Sequence, residues 1–219
     1  MQTKRKVILN NYDTAVNGLW TLAACELSDA EVVTNYIDVP GRLDGPIDAS
    51  TVLTGDVAYK PRTLSLQLES SEGTRQEREN RINQMVHELH GQRAVIWLPD
   101  DEAHYLFGRV SIKKEYNNLA HAAVTVSAVC EPWRYENEET EYKVTVSGDT
   151  KEVALENARR PALPLLTVEG SVRLEFKGNS YALGEGTHKL PRLLITQYGQ
   201  TVKVSGNGSV TFLYRKAVL

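Results

Sequence analysis

The chain is 219 residues long, 41% hydrophobic and 24% charged, with a formal net charge of -3. That composition excludes a disordered chain and allows one large domain or two small ones. It gives no electrostatic case for nucleic acid or an anionic membrane, because the lysines and arginines are scattered along the sequence.

The basic opening Met1-Gln2-Thr3-Lys4-Arg5-Lys6 is followed by Val7-Ile8-Leu9, which stops at Asn10-Asn11 and is too short for a signal-peptide core. No stretch reaches the roughly 18 apolar residues of a membrane span. The expectation is a soluble protein that folds in the cytoplasm. Strands are expected at Val7-Ile8-Leu9, from Leu19 to Leu27 and from Val32 to Val39. Pro40-Gly41-Arg42-Leu43-Asp44-Gly45-Pro46 then forbids regular structure and reads as a surface loop or as an extended arm laid on a neighbouring subunit.

From Leu64 the pattern sharpens. Leu64, Leu66 and Leu68 alternate with Ser65, Gln67 and Glu69, the period of a half-buried strand. Thr74 and Glu77 are spaced as a capping box, Ile82, Met85, Val86 and Leu89 share one helical face, and Gly91 stands where a left-handed C-terminal cap is wanted. Arg93 to Leu98 reads as a strand, Pro99-Asp100-Asp101-Glu102 as a turn, and Ala103 to Tyr116 as the return. In that return Tyr105 and Phe107 have one parity and Val110 and Ile112 the other, so a β-bulge is expected at Gly108. Val124, Val126, Ala128 and Cys130 share a face of the next strand, which turns Cys130 inward.

Glu136-Asn137-Glu138-Glu139-Thr140-Glu141 is an acidic, solvated stretch and the candidate domain boundary. Beyond it, short strands are expected at Tyr142–Val146, Leu165–Glu169, Val172–Phe176, Leu193–Gln197, Val202–Val204 and Val210–Tyr214. Lys177-Gly178-Asn179-Ser180 and Gly206-Asn207-Gly208 read as hairpin turns. That cadence without helix indicates a β-sandwich. The fold class is therefore mainly β with one helix: an α+β domain over 1–136 and a β-sandwich over 137–219.

Chemistry is sparse. His87 and His90 are three apart and miss the spacing of a zinc helix, so they read as solvated helix-face residues. Asp100, Asp101 and Glu102 lack the spaced oxygen array of a calcium loop and read as turn chemistry. There is no nucleophile elbow, Walker loop or dinucleotide fingerprint, and no pair of carboxylates is singled out for hydrolysis. No catalytic residue, metal ligand or cofactor is nominated. Cys25 and Cys130 read as two small buried hydrophobes. Trp97, Trp133, Tyr135, Tyr181 and Tyr198 are weighed as a stacking platform: Trp97 sits in an apolar run that suggests core or subunit interface, Tyr181 and Tyr198 are the better candidates for a glycan-facing surface, and core or interface is the favoured reading of the set.

Several of these segments, in this order, resemble the distal tail protein of long-tailed bacteriophages and related prophage tails. Val39-Pro40-Gly41-Arg42-Leu43-Asp44-Gly45-Pro46-Ile47-Asp48 is similar to the family's Pro-Gly-Arg-Asp-Gly segment, with Leu43 inserted, ahead of the strand containing Pro61-Arg62-Thr63-Leu64. Leu89-His90-Gly91 through Tyr105-Leu106-Phe107-Gly108-Arg109 resembles its helix, hairpin and return strand, and Cys130-Glu131-Pro132-Trp133-Arg134-Tyr135 its domain-closing motif. Leu183 to Pro191, Val202 to Gly208 and the Tyr214 to Leu219 ending look like its galectin-like sandwich. The resemblance implies a homohexameric ring at the virion tail tip, assembled in the host cytoplasm, that joins the tail tube protein to the tail-tip hub and host-recognition proteins. It implies a ring-forming domain with a tail-tube-like β-fold, through whose lumen DNA passes, and a sandwich projecting outward. Pro40, Gly41, Arg42, Asp44, Gly45 and Arg62 are then the candidate subunit-interface residues. The length after Asn137 suffices for a minimal sandwich and little more, so the chain is expected to position host-binding proteins, not to grip the host itself. The alternative is a carbohydrate-binding module acting through Tyr181 and Tyr198.

Overall fold

Seven antiparallel strands lie side by side in the order Tyr12–Asp13, Ile8–Leu9, Arg93–Leu98, Asp101–Asn117, Ala122–Cys130, Arg62–Ser70 and Thr21–Leu27. They belong to the first of two compact units, Met1–Arg134 and Tyr135–Leu219, in a computed structural model that describes residues 6–52 and 55–219. The alternation in the sequence decides which face of this sheet is dry. Leu64, Leu66 and Leu68 are buried with Val124, Val126, Ala128 and Cys130, and Ile82, Met85 and Leu89 of the helix Arg75–Leu89 complete the same cluster.

The helix begins as its sequence requires. The Glu77 amide donates to Thr74 Oγ1 at 3.3 Å and the Thr74 amide donates to Glu77 Oε2 at 2.7 Å, a reciprocal box that satisfies two otherwise orphan donors. At the other end Gly91 takes φ +79, the left-handed position that a side chain would resist. His90 is the cap residue, and its Nδ1 accepts a 3.0 Å bond from the Ile112 amide. Both His87 and His90 are exposed, as expected, and His90 is in addition tied to the sheet by this bond.

The bulge expected at Gly108 is absent. Pairing runs unbroken through Phe107↔Val95, Gly108↔Ala94 and Gly108↔Cys130, while the irregularities fall between Asp101 and Leu106 and between Lys114 and Tyr116. Leu106, Gly108, Val110 and Ile112 keep one parity and are buried together. The glycine is there for closeness: a Cβ at 108 would meet Cys130 Sγ at 2.7 Å and the Val129 carbonyl oxygen at 2.8 Å. Phe107 faces outward instead, under the Arg93 guanidinium at 4.3 Å from the ring centre.

Cys25 corrects a second expectation. It is exposed on the edge strand Thr21–Leu27, whereas Cys130 is buried as expected, and neither forms a disulfide. Burial pushes the Cys130 thiol up to about 11. Iodoacetamide at pH 8 should therefore modify Cys25 and spare Cys130 until the protein is unfolded, as peptide mass mapping would show. A thiol raised on folding supports the fold fully below its unfolded value, and that support is lost as pH rises toward about 11.

In the C-terminal unit three long strands, Thr140–Leu155, Gln200–Tyr214 and Leu165–Phe176, lie in that order, with Asn179–Leu183 and Gly186–Lys189 both paired to the third. The sequence divides two of them into pairs of short strands, but each passes through its glycines without turning back. Gly206-Asn207-Gly208 is not a hairpin: it lies mid-strand, opposite Val172, Ser171 and Gly170 on one side, with Gly208 and Asn207 opposite Val146 and Ser147 on the other. Residues on both sides of this crossing, Val168 with Val172 and Val204 with Val210, enter one sandwich-like core with Phe212, Leu174 and Ile195. The turn at Lys177-Gly178 is a true hairpin, with both residues at positive φ between the paired Phe176 and Asn179. Leu193–Gln197 forms only the isolated bridges Ala162↔Ile195 and Thr196↔Gly199. The unit is β throughout, and the described residues as a whole are mainly β with one helix.

Candidate assembly surfaces

The sheet of the N-terminal unit is interrupted between Leu27 and Arg62 by an excursion that never returns to the core. Its expected single strand, Val32 to Val39, is instead two two-residue strands, Val32–Val33 paired with Ala58–Tyr59 and Tyr36–Ile37 paired with Ile47–Asp48. Segments this short carry too little alternation to be read from sequence. Every residue from 31 to 48 is exposed, including Val32, Val33, Tyr36, Ile37, Val39, Leu43 and Ile47. An apolar run left wet over this length marks an interaction surface.

The expected interface residues divide into a tip and a root. Pro40, Gly41, Arg42, Asp44 and Gly45 stand together at the tip, with Gly41 at φ +83 and Gly45 at φ +76 in open space. Leu43, which lengthens the motif, is wholly exposed between them. Among the described residues none offers the Arg42 or Asp44 side chain a partner. Arg62 is elsewhere, at the root: it is 8% exposed and its Nε donates to the Ser28 carbonyl at 2.7 Å. Burial and the neighbouring Arg134 both lower its pKa.

Further bonds close the root. The Ser28 amide donates to the Thr63 carbonyl at 2.9 Å and the Thr63 amide donates to Ser28 Oγ at 2.8 Å. Lys60 Nζ meets Glu31 Oε2 at 2.8 Å and holds that carboxyl below its usual range. Tyr59 packs edge-on against Trp133 with ring centres 5.3 Å apart. The arm is thus pinned where it leaves the sheet and bare beyond.

Asp101 of the expected acidic turn belongs to a strand. Its carboxylate takes His104 Nδ1 at 2.8 Å on one oxygen and Arg134 Nη1 at 3.2 Å on the other. Arg78 escaped sequence reading altogether, because a charged residue between Glu77 and Glu79 suggests solvent. It is 1% exposed, and its guanidinium donates to the carbonyls of Gly73 (2.5 Å), Asn118 (2.7 Å) and Leu119 (3.1 Å) and to Asn117 Oδ1 (3.4 Å). Its single sequence signal is phase, four residues before Ile82 on the buried helix face.

In the C-terminal unit the two tyrosines stand apart. Tyr181 stacks on Phe176 with ring centres 5.2 Å apart and an interplanar angle of 15°, and packs against the core. Tyr198 is 89% exposed on the turn closed by Thr196 and Gly199. They occupy separate segments and do not stack on one another. Beside Tyr198 the Ala162↔Ile195 bridge is doubly bonded, at 2.9 Å in each direction. It buries Ala162, Pro164, Leu193 and Ile195 and turns Leu163 and Leu194 outward, opposite each other.

This succession, a helix-backed antiparallel sheet with an arm followed by an all-β unit, is a fold with a solved counterpart. The chain matches no protein-family model and no curated protein sequence. Among solved structures it resembles bacteriophage SPP1 Dit (gp 19.1), described as a paradigm of the hub adsorption apparatus in phages that infect Gram-positive bacteria. The TM-score is 0.70 at 12% identity, over 98% of this chain and 99% of that one, so the two share a fold along their whole lengths. A designed double-stranded β-helix (TM-score 0.25, 20% identity, 36% of this chain and 97% of that one) overlaps only slightly. So does a Salmonella typhimurium ethanolamine utilization protein (TM-score 0.23, 8% identity, 86% of this chain and 96% of that one).

Proposed function

We propose that this chain is a structural, non-enzymatic subunit of a phage tail tip, a homohexameric ring that joins the tail tube to the hub and its host-recognition proteins. In this reading residues 1–136 build the ring and residues 137–219 form a galectin-like sandwich projecting from it. Pro40, Gly41, Arg42, Asp44 and Gly45 contact the next subunit, and Arg62 fixes the root from which they extend. The observation that carries the proposal is the bare apolar arm on a chain whose fold follows SPP1 Dit from end to end. Each large aliphatic or aromatic side chain fully buried by a neighbour contributes on the order of 1.5–3 kcal/mol to association. A closed ring presents that gain once per subunit.

The test is mass measurement of the purified protein over a wide concentration range and in isolated tails. Wild-type protein should give a six-copy species. Replacing residues 38–46 by an Asn-Gly turn should leave a folded monomer, because Tyr36–Ile37 and Ile47–Asp48 already pair as a hairpin. Wild-type protein that stays monomeric at every concentration and is missing from tails would refute the proposal.

A further inference from the structure

The arm cannot be its own receptor. Residues 29–60 hold Asp29, Glu31, Asp38, Asp44, Asp48 and Asp56 against only Arg42 and Lys60, so the excursion is acidic as well as apolar. Two such arms face to face would repel, and the like charges would add to the cost. A head-to-tail ring contact joins two different patches, so the arm requires an apolar surface carrying the opposite charge.

The C-terminal unit offers one. Residues 157–164 and 189–199 include Arg159, Arg160, Lys189 and Arg192 and no acidic residue. The Ala162↔Ile195 bridge joins the two segments, Asn157 Nδ2 donates across them to the Ile195 carbonyl at 2.7 Å, and Lys189 pairs with Leu165 just beyond. Leu163, Leu194 and Tyr198 are exposed on this ribbon. The partners seen for two of its cations are neutral: Arg192 Nη1 donates to Asn179 Oδ1 at 3.2 Å, and the Arg160 guanidinium lies 5.3 Å from the centre of the Tyr135 ring. Two outward leucines beside the tyrosine also suit a protein contact better than a sugar, which needs polar groups around the ring that stacks on it.

We infer that the Leu163–Leu194–Tyr198 ribbon is the receptor for the arm of a second copy of this chain. Leu43 and Ile47 cover the leucines, and Asp44 and Asp48 face Arg192 and Lys189. This rests on the ring reading and adds the address at which the arm docks, so that one edge of the projecting sandwich joins residues 1–136 in the subunit contact. It also makes the contact salt-sensitive, since exposed charge pairs are screened within about 8 Å at physiological ionic strength.

The experiment places single cysteines in separate chains, in a Cys25→Ser background. Leu43→Cys protein mixed with Leu194→Cys protein under mild oxidation should give a disulfide-linked dimer of the two variants. Leu43→Cys mixed with Leu119→Cys, at a site more open than Leu194, should not. Arg192→Glu should weaken assembly by about fivefold, the scale of one exposed ion pair, and Asp44→Arg in the same chain should restore it. Assembled protein that yields no Leu43–Leu194 cross-link, or that links Leu43 and Leu119 equally well, overturns the inference and leaves the ring intact. Protein that does not assemble at all removes the ring reading and this inference with it.

Discussion

Gly208→Val should unfold the C-terminal unit. A Cβ at this position would sit 2.2 Å from the Glu169 carbonyl oxygen and 3.1 Å from the Ser171 amide. Both are backbone atoms of the neighbouring strand, so no rotamer change relieves the overlap and the central ladder must separate. We expect a loss of about 4 kcal/mol or more, above the usual range for overpacking, because the obstruction is main chain at the middle of the sheet. Gly178→Ala is the contrast: its φ of +73 adds strain of about 1–2 kcal/mol, but nothing lies within 4 Å of the new methyl group. The unit lacks tryptophan, since Trp20, Trp97 and Trp133 all precede Tyr135. Urea unfolding followed by far-UV circular dichroism should lose the sandwich transition in Gly208→Val, while tryptophan emission still reports a folded N-terminal unit. An unchanged transition would mean that the strands do not cross here.

The second large effect is expected from Arg78→Ala. The guanidinium gathers the carbonyls of Gly73, Asn118 and Leu119 and so fixes both the start of the helix and the turn before the Ala122–Cys130 strand. Removing it leaves these acceptors short of donors, at about 1–3 kcal/mol for each that water cannot reach. Since water can enter part of the gap, a total of roughly 3 kcal/mol is expected. Arg75→Ala, on the exposed side of the same turn, should stay within about 0.5 kcal/mol. The denaturant midpoint by tryptophan emission measures both, and equal midpoints would show that the buried fork does not hold the helix.

What could be read from the sequence tracks how local the physics is. The capping box, the buried helix face and the strand at Leu64 to Leu68 depend on residues within one turn or one alternation, and all were legible. The misreadings at Gly108, Gly170 and Gly206 to Gly208 share a cause. Glycine permits a bend, but it also lets two backbones or a backbone and a sulfur approach closely, and which use applies depends on a strand far away in sequence. Arg78 failed for a similar reason, because its acceptors lie around residues 73 and 117–119 and only the fold collects them. On the exposed arm, the tip was legible as a loop through its prolines and glycines. The bond from Arg62 to the Ser28 carbonyl had no sequence signal, because the two residues meet only in the fold. The basic ribbon joins segments some thirty residues apart and has no contiguous signature.

The doorway formed by Ser28 and Thr63 has an evolutionary corollary. Chain leaves and re-enters the sheet at adjacent points, so whatever lies between them behaves as a cassette. Its length and chemistry can drift without altering strand register, since loop-closure entropy grows only slowly with length. One scaffold can thereby carry different excursions, and a grafted epitope or reporter at residues 40–46 should ride on an unperturbed frame.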